Sequence, residues 1–561
     1  MKEIRGDAKT VRQLLSGAKY GIDYYQREYK WEKKQVQELI NDLVDKFLDD
    51  YDPNHERSQV GKYGHYFLGS IIISDKEGQK FLIDGQQRLT TLTLLLIFLH
   101  HAQADREDKV QISELIFSEK YSSRSFNLDV PGRTVCMDAL FKRTSFEDTG
   151  QDESVHNLFN RYREIEEELF PDELRGQALP YFIDWFIENV HLVEITAYSD
   201  DDAYTIFETM NDRGLSLSPT DMLKGYLLAN IADQNEKLAA NALWKERVGS
   251  LLDVANSKEE DSDCLKAWLR SQYANSIRER KRGATPQDFD RIGSEFHRWV
   301  RDNDESLGLT KSSDFADFIN QDFSFYARQY ERLRRAAQAV TSGLERVFYN
   351  AQHNFTLQYP VLLASLIPGE PEQNIKEKIR IVGTFVDILI ARRIWNWKAI
   401  DYSTMQYAMF LVMREIRRKS AGEVAGILRA RLSEEKEIPV FKANDRFRLH
   451  GMNGRQIHHL LARITDYIEV QSGMPSHYAE YLVRSGKGAY EVEHIWANHP
   501  ERHEEEFSSA SDFEEYRNRI GGLLILPKSF NASYGDLPYE KKREHYNSQN
   551  LLARSLHELV H

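Results

Sequence analysis

Ile83–Asp84–Gly85–Gln86–Gln87–Arg88 joins two stretches of opposite pattern, and its reading decides the fold of the first half of the chain. Upstream, Phe67–Ile73 (FLGSIII) and Lys80–Asp84 (KFLID) are short apolar, β-branched runs on either side of turn chemistry at Asp75–Gln79, which predicts a hairpin or two adjacent strands. Downstream, Gln86–His101 is apolar nearly all round, which predicts a buried helix. The hexapeptide is therefore a strand-to-helix turn. Free N–H groups and the macrodipole favour an anion at such a helix start. Gly85 lets a ligand approach the backbone, Gln86 and Gln87 add amide donors, and Arg88 adds a planar fork suited to phosphate. Asp84 caps the helix, binds Mg²⁺ or positions a water. The plainer alternative is an Asp84–Arg88 pair that only orders the turn.

Outward from this turn, Tyr25–Trp31 (YQREYKW) offers aromatic faces and Arg27 for a phosphate. Val36, Leu39, Ile40, Leu43, Val44 and Phe47 fall at helical spacing within Trp31–Leu48, and residues 51–64 read as a loop. Residues 105–190 read as helices and polar loops, and His191–Tyr198 as a strand. A helix over 201–214 closes on Gly214, and Ser218–Asp221 opens the next one. From 235 to 430 the pattern is nearly all helix. Basic clusters lie at Arg278–Arg282, Arg332–Arg335, Arg392–Lys398 (RRIWNWK) and Arg417–Lys419. Trp395 and Trp397 among basic residues suit either a DNA track, with RRIWNWK as first choice, or a core with a solvated basic face.

The last seventy or so residues change character. Glu493–His494 ends a strand-like run, the Leu-rich Leu523–Leu526 follows Gly521–Gly522, and Asn531, Lys541 and Lys542 come after it. Phosphodiester cleavage needs a base for water, which a His supplies, and a divalent ion with oxygen ligands, which a carboxylate and an Asn carbonyl supply. In an extended segment Glu493 and His494 point to opposite sides, so one shared site requires a turn or distortion there. A surface Glu–His pair is the plainer alternative, and His494, His499 and His503 also invite a zinc reading.

The 561 residues hold 74 Lys and Arg against 88 Asp and Glu, a net charge of -14. This excludes a uniformly basic nucleic-acid coat but leaves local basic patches open. Two cysteines, Cys136 and Cys264, exclude a disulfide scaffold and a cysteine-rich zinc module. Neither a membrane span nor a secretory signal is visible, so a cytoplasmic protein is expected.

Four segments, YQREYKW (25–31), FLGSII (67–72), IDGQQRLTTL (83–92) and 206–228, together resemble the GmrS-type domain, a ParB/sulfiredoxin-like nucleotide-binding fold of anti-phage restriction proteins. The resemblance implies NTP binding and hydrolysis, with Asp84, Gly85, Gln86, Gln87 and Arg88 at the motif positions and Arg27 in the same pocket. Asn211 and Arg213 join them or serve as helix caps. EHIW, NRIGGLLIL and FNASYGDLPYEKKREHY resemble the GmrD-type HNH (ββα-metal) nuclease domain. This implies His494 as general base, Glu493 and Asn531 as ligands for Mg²⁺ or Mn²⁺, and Lys541 and Lys542 near the scissile phosphate. The family shows Gly-Asn where this chain has Gly521–Gly522; Asn518, four residues earlier, is the substitute on offer for bracing the histidine.

The chain is thus expected to be α+β and predominantly helical. A GmrS-type domain spans 1–235, a helical connector 236–425 and an HNH domain 426–561. The implied function is an NTP-regulated, metal-dependent endonuclease restricting modified phage DNA. The alternative is a nucleotide- or DNA-sensing NTPase with a degenerate or partner-dependent nuclease domain. Double-stranded DNA and an NTP (ATP, GTP or CTP) are the implied partners; homo-oligomerisation is left open.

Overall fold

A computed structural model describes residues 5–22, 29–76, 79–120, 123–130, 132–147, 150–197, 218–255, 257–279, 281, 283–434, 441 and 444–557. The chain is mostly helical with one mixed sheet, an α+β composition, and it divides into two compact units, Met1–Asn230 and Ile231–His561.

The first unit is built on a six-stranded sheet. Its strands are β1 (Arg5–Thr10), β2 (Tyr20–Ile22), β3 (Tyr66–Lys76), β4 (Gln79–Asp84), β7 (Leu128–Asp129) and β8 (Val190–Ala197), in the order β1-β8-β3-β4-β2-β7. A separate two-stranded ribbon pairs β5 (Phe117–Lys120) with β6 (Ser123–Phe126). β3 lies antiparallel to β4 and parallel to β8, so the two runs read as adjacent strands do pair. Alternation divides their side chains. Ile71, Ile73, Leu82 and Leu192 enter the main core with the buried helix Gln86–Ala102. Ile72, Ile83, Ile195 and Ala197 face the other way and pack with Met222 of the helix Pro219–Ala229.

The amphipathic helix is Lys33–Leu48, with all six predicted apolar positions buried. Ser218 caps its helix through the Asp221 N–H, as its sequence suggests. β1 carries no apolar alternation and buries only Thr10, which is why sequence reading passes over it. What holds it instead is pairing along β8 and the Lys9–Glu194 ion pair at 2.6 Å. Glu194, nearly inaccessible, also accepts from Lys80 Nζ at 2.9 Å and Tyr20 Oη at 2.6 Å, so one carboxylate ties four strands. Residues 105–190 hold β5, β6 and β7 as well as helices, strands too short to leave a period-2 pattern. The segment 51–64 contains a 3₁₀ turn, Arg57–Lys62, that buries Val60.

The second unit is helical from Gln234 to Glu434 and then carries the C-terminal segment. Asp387, on the helix Glu372–Trp395, accepts from Arg463 Nη1 and Nη2 at 3.0 and 3.1 Å and from Arg346 Nη1 at 3.2 Å. Arg463 lies on the helix Gly454–Gln471, so this cluster binds the C-terminal segment to the middle. Trp395 stacks on Phe447 with centroids 4.6 Å apart and donates to the Asn444 carbonyl at 2.9 Å. Arg392 and Arg393 spend donors on the Leu432 and Ala399 carbonyls. Within RRIWNWK, Trp395, Arg392 and Arg393 are thus structural, whereas Trp397 is exposed. Among the described residues no helix is long and apolar enough to cross a membrane.

His353 and His459 pack with ring centroids 5.1 Å apart at the join between the middle and the C-terminal segment. Burial pushes His353 down to about 4 and His459 to about 3. The unfolded chain then binds more protons than the folded one below the free-histidine value of about 6.5. Their stabilising contribution is present above that pH and is lost as pH falls toward 4, by a few kcal/mol for the pair, each tenfold difference in proton affinity being worth about 1.4 kcal/mol. Urea unfolding should show this acid loss between pH 6.5 and 4.5, and His353→Gln/His459→Gln should flatten it.

Candidate functional site

Two groups of predicted residues are placed by the structure, one in each unit. In the first, β4 ends at Asp84 and Gly85 turns the chain into the helix Gln86–Ala102 with φ 89°. A Cβ at Gly85 would lie 2.5 Å from Ile71 Cγ2, so both conformation and space demand glycine. Arg88 Nη1 donates to the Ser70 carbonyl at 2.6 Å, and its guanidinium sits where a Cβ on Gly69 (φ 112°) would be 3.0 Å away. Gln87 Oε1 accepts from the Lys30 and Trp31 N–H groups at 2.9 and 3.3 Å. Tyr29 donates to or accepts from Thr91 at 2.9 Å, which holds residues 29–31 against the same helix. Gln86 is buried.

Burial pushes the Asp84 carboxyl up; the Gly85 N–H and the Arg88 charge oppose it. The turn predicted from sequence therefore exists, with Asp84, Gly85, Gln86, Gln87 and Arg88 together. Part of what Gln87 and Arg88 offer goes to bracing the turn. Arg27, Asn211 and Arg213 lie outside the described residues.

In the second unit, β9 (Tyr490–His494) pairs antiparallel with β10 (Leu523–Pro527) in unbroken register, His494 opposite Leu523. The helices Lys528–Tyr534 and Tyr539–Tyr546 follow. His494 Nε2 contacts Asn518 Oδ1 at 2.8 Å. With Nε2–H as donor, the Nδ1 lone pair is left for another proton. Burial, then the charge of Arg517, pushes His494 down to about 4; the Asn518 contact opposes this, so the ring is neutral at neutral pH.

The regular register sends Glu493 to the opposite face. There its Oε1 accepts from Lys542 Nζ at 2.6 Å, with side chains 2% and 0% exposed. Lys542 Nζ also donates to the His494 carbonyl at 2.8 Å. Burial pushes the Glu493 carboxyl up and Lys542 opposes it. Asn531 Nδ2 donates to the Val492 carbonyl at 3.3 Å. Lys541 is on the surface beside Glu544, Nζ to Oε1 3.1 Å.

The structure thus pairs His494 with Asn518 on one face of β9 and Glu493 with Lys542 on the other, ties Asn531 to the Val492 carbonyl and leaves Lys541 apart. As a metal ligand Glu493 does not fit: its carboxylate already neutralises an inaccessible lysine on the face away from His494. No group of three or more His, Cys, Asp or Glu able to hold a metal occurs among the described residues. His503 stacks on Trp496 and Phe513, and His499 lies between Glu501 and Asp536, so neither joins His494.

Sequence reading missed one part of the site. The Phe447–Leu449 segment runs beside the loop carrying Asn518: Ile520 N donates to the Phe447 carbonyl at 3.1 Å and Leu449 N to the Asn518 carbonyl at 2.8 Å. Arg448 and Arg519 form a bridge pair. Some seventy residues separate the partners, and no local pattern announces the pairing.

Comparison with known families gives two matches. Residues 11–228 match the family model described as GmrSD restriction endonuclease, N-terminal domain. Residues 417–560 match that of GmrSD restriction endonucleases, C-terminal domain. No curated protein matches the chain.

Two outcomes test the geometry. Gly85→Ala should lower stability by about 2 kcal/mol or more in urea unfolding, from a left-handed Cβ plus overlap with Ile71. Lys542→Met should lower it by roughly 3–5 kcal/mol, because it leaves Glu493 buried and unpaired, and Lys542→Met/Glu493→Leu should regain most of that loss.

Proposed function

The chain belongs to the GmrSD restriction endonuclease family, and from that premise we propose that it is an NTP-regulated endonuclease that cuts modified foreign DNA with His494 as general base. The contact between His494 Nε2 and Asn518 Oδ1 carries this reading. It orients the imidazole and fixes its tautomer, so that Nδ1 takes the proton of a water attacking the phosphorus. Asn518 thereby stands in for the asparagine that Gly521–Gly522 lacks. Lys542 is a positioning residue: its bond to the His494 carbonyl holds the end of β9 in place.

A divalent ion, Mg²⁺ or Mn²⁺, supplies charge neutralisation at the leaving oxygen when bound. Asn531 is the ligand still offered by the sequence motif; Glu493 is not, and the base's role does not pass through it. In the first unit, the helix start at Gly85 and the Arg88 guanidinium would receive the phosphates of an NTP, with Asp84 beside them. The NTP's part is regulation of cutting, with turnover at the same turn.

The alternative, a sensor NTPase with a degenerate or partner-dependent nuclease, draws on one observation, the commitment of Glu493 to Lys542. Cleavage of unmodified plasmid and hypermodified phage DNA, with Mg²⁺, Mn²⁺ or EDTA and with or without NTP, separates the two. His494→Ala should lower the cleavage rate by about 100-fold or more, the scale of a lost general base, with folding intact. Wild-type protein that hydrolyses NTP and cuts none of these DNAs would favour the sensor.

A further inference from the structure

Trp397 and Lys398 are the exposed residues of RRIWNWK, and Trp397 brings an aromatic ring to the surface. It follows the helix Glu372–Trp395 in the left-handed region, φ 61°, where glycine is usual and a bulky residue is strained. The turn is held from several sides. Trp397 N donates to the Ile394 carbonyl at 3.1 Å and Lys398 N to that of Arg393 at 2.8 Å. Asn444 Nδ2 donates to the Trp395 carbonyl at 2.6 Å. The result of this strain is a ring left 49% exposed.

The ring is backed by a guanidinium and an imidazole. The Arg448 guanidinium lies 5.5 Å from its centroid and the His450 ring 5.2 Å away. Asn453 fixes their loop from both ends, accepting from His450 N at 2.8 Å and donating to the Arg448 carbonyl at 2.9 Å. Arg448 bridges to Arg519, whose guanidinium covers the half-exposed Tyr516 ring at 3.8 Å. Glu515 stands between the two arginines, 3.6 Å from Arg448 and 3.3 Å from Arg519. Between these two aromatic–arginine pairs runs the loop with Asn518, which holds His494.

We infer that Trp397 and Arg448 form a DNA-positioning surface flanking the His494 site, Trp397 stacking on a base unstacked beside the scissile phosphate and Arg448 contacting a neighbouring phosphate. The occupant follows from the chemistry: an exposed aromatic face takes a base, a guanidinium takes a phosphate, and the stretch 444–455 carries three arginines against one aspartate. Continuity with Asn518 places it next to the reaction. The inference rests on the endonuclease reading above.

Trp397→Gly supplies the test, because glycine is the residue that the left-handed turn prefers. Full-length protein is titrated into a fluorescein-labelled DNA duplex in EDTA, and thermal unfolding is followed alongside. The expected result is duplex affinity lowered about ten-fold, within the range for one lost base stack, with the unfolding midpoint unchanged or raised. Trp397→Phe should restore most of the affinity. Arg448→Gln should reduce the slope of log affinity against log salt by about one. Unchanged affinity in Trp397→Gly, while wild-type protein binds and cuts DNA in a His494-dependent way, overturns this inference alone. A lowered midpoint with unchanged affinity assigns the ring to packing and does the same. Wild-type protein that binds neither this duplex nor hypermodified phage DNA, with or without NTP, removes the endonuclease reading and this inference with it.

Discussion

A lysine ammonium with no exposed surface needs a counter-charge, and Lys542 finds it in Glu493, itself almost wholly buried. The nuclease end of the chain is arranged around that need. The ammonium also takes the His494 carbonyl, so the helix Tyr539–Tyr546 is tied to the last two residues of β9. Once Glu493 is fixed inward, the pleat sends His494 to the other face, where Asn518 meets it. Glu493, for which the family resemblance implies a metal-ligand role, is thus paired with Lys542 on the face away from His494. Breaking the pair leaves a charge where water cannot reach it, whereas its net worth against apolar packing is small; the stabilising part is the orientation it enforces.

In the first unit the comparable constraint is steric. Two glycines in left-handed or extended-positive conformations, Gly69 and Gly85, leave room for the Arg88 guanidinium and for Ile71 beneath the turn. Sheet register supplies the rest: the Ile72–Ile73 irregularity between β3 and β4 lies where the strand approaches Asp84. A helix start, a part-buried carboxyl pushed up by its surroundings and an arginine held against a strand carbonyl are thereby fixed by the chain's own packing.

Much of this was legible because it is written locally. The helix Lys33–Leu48, the buried helix after Gly85 and the paired strands before it follow from period, β-branching and one glycine. What escaped is what adjacent residues share. Lys541 and Lys542 are indistinguishable in sequence, yet one faces Glu544 at the surface and the other has no exposure. Trp395 and Trp397 sit two apart in one basic run, but the helix ends between them, sending one ring onto Phe447 and the other outward. Asn518 could be named as a substitute for a missing asparagine, but its contact with His494 depends on β9–β10 register. β1 was unreadable because polar residues form it, and a carboxylate from β8 secures it.

The nuclease segment is also not a separable body. Arg417 closes the end of the helix Glu260–Gln272, donating to the Ser271 and Ala274 carbonyls and to Asn275 Oδ1. Asp387 holds Arg346 and Arg463 from opposite sides of the join, and Arg463 lies 3.6 Å from the Tyr349 ring centroid. The helix Gly454–Gln471 buries Ile457, Leu461 and Ala462 together with His458, His459, Asp466 and Glu469. Cutting the chain ahead of this helix would expose apolar surface and strand charged groups whose partners lie in the middle helices. The helical middle is therefore part of the scaffold that sets Asn518 and Trp397 in place. Contacts run without a break from that middle to the site: Trp395 stacks on Phe447, Leu449 N donates to the Asn518 carbonyl, and Asn518 meets His494.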